Sequence, residues 1–462
     1  GKDTVLKYDK LVLATGGNPF VPPMQGVDLD GVYRIRNIDD GIEVQKAMET
    51  AKSAIVTGAG LIGIEIAFAL KKRGLNVILS EMLPQIVPRS LDKDMSDILV
   101  KYLEIEGIQV VLGKPITKLI GDGKVERACF GDEEIYDADM VIMATGVRPE
   151  LKLAEMAGCD IGRWAIIVND RMETSVEDVY AVGDCVESRD LILGFNTISH
   201  LGTTAVRQSK TLARTICGKK SKFNPVLNSM VSKVGKLEFG AVGYTTSFAQ
   251  QNQIRPVVQK VQALTRARYY PNAKPMDIKV ICDGNGTIIG CQIIAEERVA
   301  ERIDTMTLAI TEGLTCFDLS NMEFAYAPPV SMVTDPLILA VEEVSKKYSN
   351  EIAYRLLNNA MPEMAEGNFT PMKELIFDYR WDMGSIKNCS YAYPNITELA
   401  EEMRPLRDDP DIKFIFLSTA GPGFCIVTEK PDKATKIFDN LNMRSFIANI
   451  HNGKYKILNK VK

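Results

Sequence analysis

Apolar positions along the chain switch between two periods, and the switches mark its elements. SAIVTGAG, residues 53–60, is a continuous apolar run of strand length. LIGIEIAFALKKRG, residues 61–74, then repeats apolar side chains at helical spacing until Gly74 offers a C-cap. NVILSE, residues 76–81, returns to strand character, so the whole stretch reads as a β-α-β unit and predicts a parallel sheet. A second amphipathic helix, LDKDMSDILVKYLEIEG, ends in glycine. IQVVLG, strand pairs up to Glu134 and the strand MVIMATG at 140–146 follow, so residues 50–147 are expected to close as one doubly wound α/β domain.

The pattern changes beyond that domain. TSVEDVYAVGDC, residues 174–185, leads to a long helix in TTAVRQSKTLARTI. After about residue 220, strands dominate in GKLEFGAVGYT, VQALTRARYY and DIKVICDGNGTIIGCQII, and two helices follow, ERIDTMTLAITEG and PLILAVEEVSKKY. Strands first and helices second predict an α+β domain over 221–348. Residues 351–462 differ in composition, with helices expected near Tyr354–Met364 and Pro371–Trp381 and a β-α-β pattern from Lys413 to Leu458.

Composition narrows the class. The 462 residues are 46% hydrophobic, with no apolar run long enough for a membrane helix and no leader-like start, so a soluble, cytoplasmic protein is expected. A net charge of −5 supplies no basic surplus for nucleic acid. The nine cysteines are scattered, form no Cys-x-x-Cys pair and have no metal-like spacing with the two histidines, so reduced thiols and no metal site are expected. Cys282 and Cys291 flank the DGNGT turn, where they could face one another across strands.

Gly58-Ala59-Gly60-Leu61-Ile62-Gly63 fits G-x-G-x-x-G after a strand and at the start of a helix, the context that gives the pattern meaning. Gly58 permits the tight turn, Gly60 admits a pyrophosphate to the backbone and Gly63 lets helix and strand pack closely. Glu81 ends the next strand, where its carboxylate can accept both hydroxyls of an adenosine ribose and would repel a 2′-phosphate. NADH is therefore favoured over NADPH, unless Arg89 or Lys93 folds back toward the ribose; a plain strand-end acid is the other reading. Glu65 lies in the first turn of the helix, where the dipole alone would account for a carboxylate.

Five stretches in order, ATGGNP, GAGLIGIEIA, MATGVRP, TSVEDVYAVGDC and FAYAPPVSMVTDP, resemble the flavin-dependent pyridine nucleotide-disulfide oxidoreductases, in the branch with NADH oxidases and coenzyme A-disulfide reductases. The resemblance covers residues 1–348. It implies a Rossmann-type NAD domain (50–147) set within a partial FAD domain (1–49 and 148–220), then a homodimerisation domain (221–348). It also implies FAD and NADH as cofactors and a small disulfide, a persulfide or oxygen as acceptor. Ala14, Thr15 and Gly16 resemble the turn beside the flavin, Thr145 and Gly146 the crossover between domains, and Gly183 and Asp184 the ribityl-binding bend. Gly202, Thr203, Thr204 and Ala205 resemble the helix start at the flavin pyrimidine edge, and Glu65 the glutamate near the nicotinamide pocket. Tyr326 resembles a tyrosine that reaches the partner subunit's site, although an interface aromatic is an equal alternative. Ala327-Pro328-Pro329 stands where other branches carry a His-Pro pair. The family's Gly-rich FAD segment and redox cysteine would lie before Gly1, so the chain as given is expected to be incomplete, and a non-catalytic nucleotide-binding relic is the alternative reading.

MGSIKNCSYAYP and LSTAGPGFCIVTE in the tail resemble the C-terminal domain of the galactokinase, homoserine kinase and mevalonate kinase superfamily, nearest the β-ribofuranosylaminobenzene 5′-phosphate synthase group. That resemblance implies a ferredoxin-like α+β domain over 351–462, with Ser418, Gly421 and Gly423 as a phosphate turn. A ferredoxin-like tail with an ordinary tight turn is the plainer reading.

Overall fold

The computed structural model describes residues 5–131 and 134–355 and, beyond them, 408–417, 424–428, 430, 432, 433, 436, 446–449 and 456–460. Its first sheet is parallel, in the order Val32–Tyr33, Met140–Met143, Ser53–Thr57, Asn76–Glu81, Gln109–Leu112. Met140–Met143 is apolar throughout, and Ser53–Thr57 and Asn76–Glu81 are apolar at their centres, because both faces are covered. Ala54, Val56, Val77, Leu79, Met140 and Ile142 face the helices Ile38–Ala47, Leu61–Lys72 and Lys93–Ile105. Ile55, Ile78, Val141 and Met143 face an antiparallel meander of Ile116–Ile120, Arg127–Phe130 and Glu134–Asp137.

Two features differ from the sequence reading. Helices cover only one face of the sheet, because the strand pairs before Glu134 fold as a meander across the other face, where a doubly wound sheet would carry helices. The edge strand Val32–Tyr33 comes from the segment expected to belong to the flavin domain. Its recruitment takes only two residue pairs in register with Val141 and Ile142, too short a signal for periodicity to reveal.

On the flavin side, Leu11–Leu13 runs parallel to Val179–Ala181, and Gly17–Pro19 pairs antiparallel with Val147–Pro149, so the two inter-domain connections form one ladder. The helix Gly202–Ile216 lies beyond the bend at Gly183–Cys185.

The third unit is a five-stranded antiparallel sheet, in the order Met230–Val234, Leu237–Gly243, Ile288–Ala295, Pro275–Cys282, Val257–Leu264. One face packs Ile278, Val280 and Ile293 against the helices Val299–Thr311 and Pro336–Arg355. The other turns Met230, Val234, Phe239 and Ile294 into the core that also holds Phe68 of the helix Leu61–Lys72. The NAD domain and the third unit therefore share one apolar core. Cys291 stands opposite Val280, and Cys282 opposite Ile288 with a register shift at Ile281/Cys282, so the two thiols are not a cross-strand pair. The Cys282 thiol hydrogen-bonds with Cys316 instead.

In the tail, the described residues form two antiparallel ladders, Ile412–Leu417 with Phe424–Thr428 and Phe446–Asn449 with Lys456–Lys460. These ladders alone do not establish the expected ferredoxin-like domain. Among the described residues, no helix is long and apolar enough to cross a membrane.

Candidate functional site

The strand Ser53–Thr57 delivers the chain to Gly58 at φ 97°, and a Cβ there would stand 2.3 Å from the Ala144 carbonyl oxygen. A Cβ on Gly63 would meet the Gly58 carbonyl oxygen at 1.8 Å, so helix and strand touch through bare backbone. Gly60 is different: nothing lies within 4 Å of its would-be Cβ, and the helix begins at the next residue. Close packing on both sides and open space between them leave unpaired N–H groups at a helix start facing a vacant approach, the geometry a pyrophosphate requires.

Glu81 is tied into this turn. One carboxylate oxygen accepts from the Ala59 N–H at 2.9 Å and the other from the Leu83 N–H at 3.1 Å. Each oxygen keeps a lone pair for a further donor, as a ribose diol requires. Of the nearby cations, Lys93 pairs with Asp97 at 2.6 Å, and the charge of Arg89 acts on His200, where it adds to the lowering of the imidazole pKa. One helical turn further on, the exposed Glu65 accepts a hydrogen bond from the Ser232 hydroxyl at 2.6 Å.

The crossover brings a second set of residues together. The Thr145 hydroxyl donates to the Phe20 carbonyl, and the Phe20 N–H donates to the Gly146 carbonyl at 2.8 Å. The Thr15 hydroxyl donates to the Glu150 carbonyl at 2.8 Å; Ala14 is exposed, and Gly16 has φ 66°. A Cβ on Gly16 would stand 2.8 Å from the Arg36 guanidinium, which in turn lies 3.8 Å from the Asp184 carboxylate.

Gly183, at φ 86°, donates its N–H to the Gln208 side chain at 2.7 Å, which sets the bend against the helix Gly202–Ile216. The nearest atom to a Gly183 Cβ would be the Ala205 Cβ at 3.8 Å, and Gly202 is open within 4 Å. The buried Thr204 hydroxyl bonds Ser199 at 2.8 Å, while Thr203 is exposed. Beside this corner, the Nε2 of half-buried His200 is enclosed and has no hydrogen-bond partner among the described residues. Burial pushes the imidazole below its usual pKa; Asp184 opposes the shift, and Arg89 and Arg36 add to it.

Tyr326 is not gathered with these groups. It is partly exposed on the third unit, where a hydrogen bond with Tyr269 pushes its hydroxyl pKa up. Its loop is anchored by the buried pair of Arg302 and Asp335, at 3.0 and 2.6 Å. Ser418, Gly421 and Gly423 lie outside the described residues. Among the described residues, no group of three or more metal-ligating side chains forms.

Arg36, His200, Gln208 and Ser232 escaped the sequence reading. His200 had one signal, its place just before an expected helix start. The other three act across long separations that no local pattern records.

Comparison with known proteins agrees with this geometry. The family model for pyridine nucleotide-disulphide oxidoreductase matches residues 1–209, and the model for the dimerisation domain of the same family matches 231–336. An NADH oxidase of Methanocaldococcus jannaschii is 53% identical over 353 residues, 76% of this chain and 79% of that protein. An NAD(P)H coenzyme A polysulfide/persulfide reductase of Pyrococcus horikoshii is 33% identical over 73% of this chain and 76% of its own length. The solved structure of an NAD-dependent persulfide reductase from A. fulgidus superposes with a TM-score of 0.73 at 34% identity, covering 75% of this chain and 64% of that one. Both family models end before the tail, and the kinase-superfamily resemblance has no counterpart in these matches. With the fingerprint turn, the crossover ladder and the third unit each in the expected order, the chain belongs to the pyridine nucleotide-disulphide oxidoreductase family.

Proposed function

We propose that this protein is an oxidoreductase that takes hydride from NADH, in preference to NADPH, and passes the electrons through FAD to a small disulfide, a persulfide or oxygen, acting as a homodimer. The observation that carries this reading is the joining of two nucleotide-type corners by one ladder. Ala144 and Thr145 abut the Gly58 turn at one end, and Gly16 abuts the Arg36–Asp184 pair at the other. A flavin dinucleotide fits the second corner on two grounds: the space at Gly202 is open and only the Ala205 Cβ comes near that at Gly183, and the enclosed His200 Nε2 lacks a partner that a polar ligand atom would supply.

Each side chain then has a task. The Gly58–Gly63 turn receives the NADH pyrophosphate, Glu81 accepts from the ribose hydroxyls, and Glu65 accepts from the nicotinamide carboxamide. Asp184 accepts from ribityl hydroxyls, and the start of the Gly202–Ile216 helix presents N–H groups and a positive dipole end to the pyrimidine edge. Ala14, Thr15 and Gly16 line the passage between the corners. Tyr326, whose hydroxyl is protonated at neutral pH, is a proton donor for the partner subunit's site. When bound, the flavin supplies a two-electron acceptor for the hydride and a donor to the terminal acceptor.

The test is to titrate the protein with FAD and NADH anaerobically, then add coenzyme A disulfide, a coenzyme A persulfide or oxygen in separate runs. Bleaching of the flavin band by NADH and its return with one of the three is expected; bound flavin that NADH leaves unreduced would overturn the proposal. For residues 351–462 the kinase-superfamily reading is a separate proposal, supported by MGSIKNCSYAYP and LSTAGPGFCIVTE and by the antiparallel ladder of Ile412–Leu417 with Phe424–Thr428.

A further inference from the structure

Ser232 is an unusual residue for its position. Side chains alternate between buried and exposed along Met230–Val234, and its neighbours on the buried face, Met230 and Val234, join the core shared with the fingerprint helix. Between these two apolar residues stands a hydroxyl, 9% exposed. A buried hydroxyl requires a partner, and this one donates to Glu65 Oε1 at 2.6 Å across 167 residues of sequence. The Glu65 carboxylate has no other hydrogen bond among the described residues, and its side chain is exposed. An exposed glutamate on a helix ordinarily samples several rotamers, and ordering it on ligand binding costs free energy. With one oxygen already held, that cost is reduced and the second oxygen is left for a ligand donor.

We propose that Ser232 is a positioning residue. Reaching from the third unit into the NAD domain, it holds the Glu65 carboxylate so that the free oxygen accepts the amide N–H of the nicotinamide carboxamide. The inference rests on the reading of Glu65 as part of the nicotinamide pocket. It adds that the third unit, outside the dinucleotide fold, takes part in recognising the nicotinamide ring.

The experiment compares NADH with its 3-acetylpyridine analogue, in which a methyl replaces the amide nitrogen and the donor is lost. Both are titrated into the full chain by calorimetry, using Ser232→Val, Ser232→Thr and Glu65→Ala beside the parent. Valine and threonine are nearly isosteric and both suit a strand, so they isolate the hydroxyl. Ser232→Val should weaken NADH by about three- to tenfold, the size of one lost hydrogen bond, while leaving the analogue's affinity unchanged; Ser232→Thr should bind both ligands like the parent. Equal weakening of both ligands by Ser232→Val, or no change in either, would overturn the proposal. If Glu65→Ala abolishes the discrimination and Ser232→Val does not, only the Ser232 assignment fails. If Glu65→Ala leaves the discrimination intact, the pocket reading fails and the proposal with it.

Discussion

Gly60 and Gly63 sit three residues apart in one motif, yet the structure assigns them opposite liabilities. A methyl on Gly63 would overlap the Gly58 carbonyl oxygen at 1.8 Å, so Gly63→Ala should cost at least about 1–3 kcal/mol of folding stability. Gly60 has φ −77°, open to any residue, and no atom within 4 Å of its would-be Cβ, so Gly60→Ala should unfold at the parent's temperature and lose NADH affinity through the space it fills. Thermal unfolding beside NADH titration separates the two; equal stability losses would refute the assignment of open space. Glu81 is tested at the same scale. Glu81→Ala removes a charged acceptor for the ribose hydroxyls and should narrow the preference for NADH over NADPH by about 1.5–3 kcal/mol. A parent protein that binds NADPH more tightly would show that the ribose lies elsewhere.

Among the elements, the helix Lys93–Ile105 is the clearest case of a local role given up for a tertiary one. Asp92 holds its N-cap position, but its carboxylate makes no capping bond to that helix. Instead it accepts from the Thr246 hydroxyl at 2.6 Å, the Thr246 N–H at 2.9 Å, the Gln292 amide at 3.2 Å and the Lys279 ammonium at 2.9 Å. Lys279 also reaches Asp94 at 2.7 Å, and the Asp92 N–H donates to the Gln292 side-chain oxygen at 2.8 Å. The network therefore latches the NAD domain to the third unit. Asp92→Ala should cost about 1–3 kcal/mol, because Thr246 and Gln292 lose their acceptor and the nearly buried Lys279 charge keeps only Asp94. Lys279→Met removes that charge and leaves Asp92 with Thr246 and Gln292, so it should cost less. Denaturant unfolding of both variants checks the order, and equal losses would argue against a latch centred on Asp92.

At the scale of the whole molecule, the match of 231–336 to the family's dimerisation domain coincides with a scatter of exposed apolar side chains on the third unit. Tyr269, Leu308 and Val333 are 77%, 62% and 75% exposed in the single chain. A second copy is the occupant that the homodimer proposal requires there. The helix Pro336–Arg355 runs past the end of the matched region, so a truncation that respects it removes 356–462. Light scattering should find that truncated protein still dimeric, and a monomer would assign the association to the tail.

The strand, glycine turn and helix around Gly58–Gly63 and the family were legible in the sequence because each rests on local rules. Apolar runs bounded by glycine mark the strand before Gly58 and the helix after Gly60, and φ 97° at Gly58 is a demand that one residue type meets best. Tertiary structure decided what depends on register and on contacts between distant segments. It recruited Val32–Tyr33 to the NAD sheet, spread an antiparallel meander over one face of that sheet, and set the ladder register that puts Cys291 opposite Val280 and away from Cys282. It also set Ser232 against Glu65, Arg36 against Asp184 and Asp92 against Thr246. A single serine, arginine or aspartate carries no mark of its partner in the residues beside it. Those pairs exist only once the shared core has brought the two chain segments within reach, and so they were invisible to any reading of neighbours along the chain.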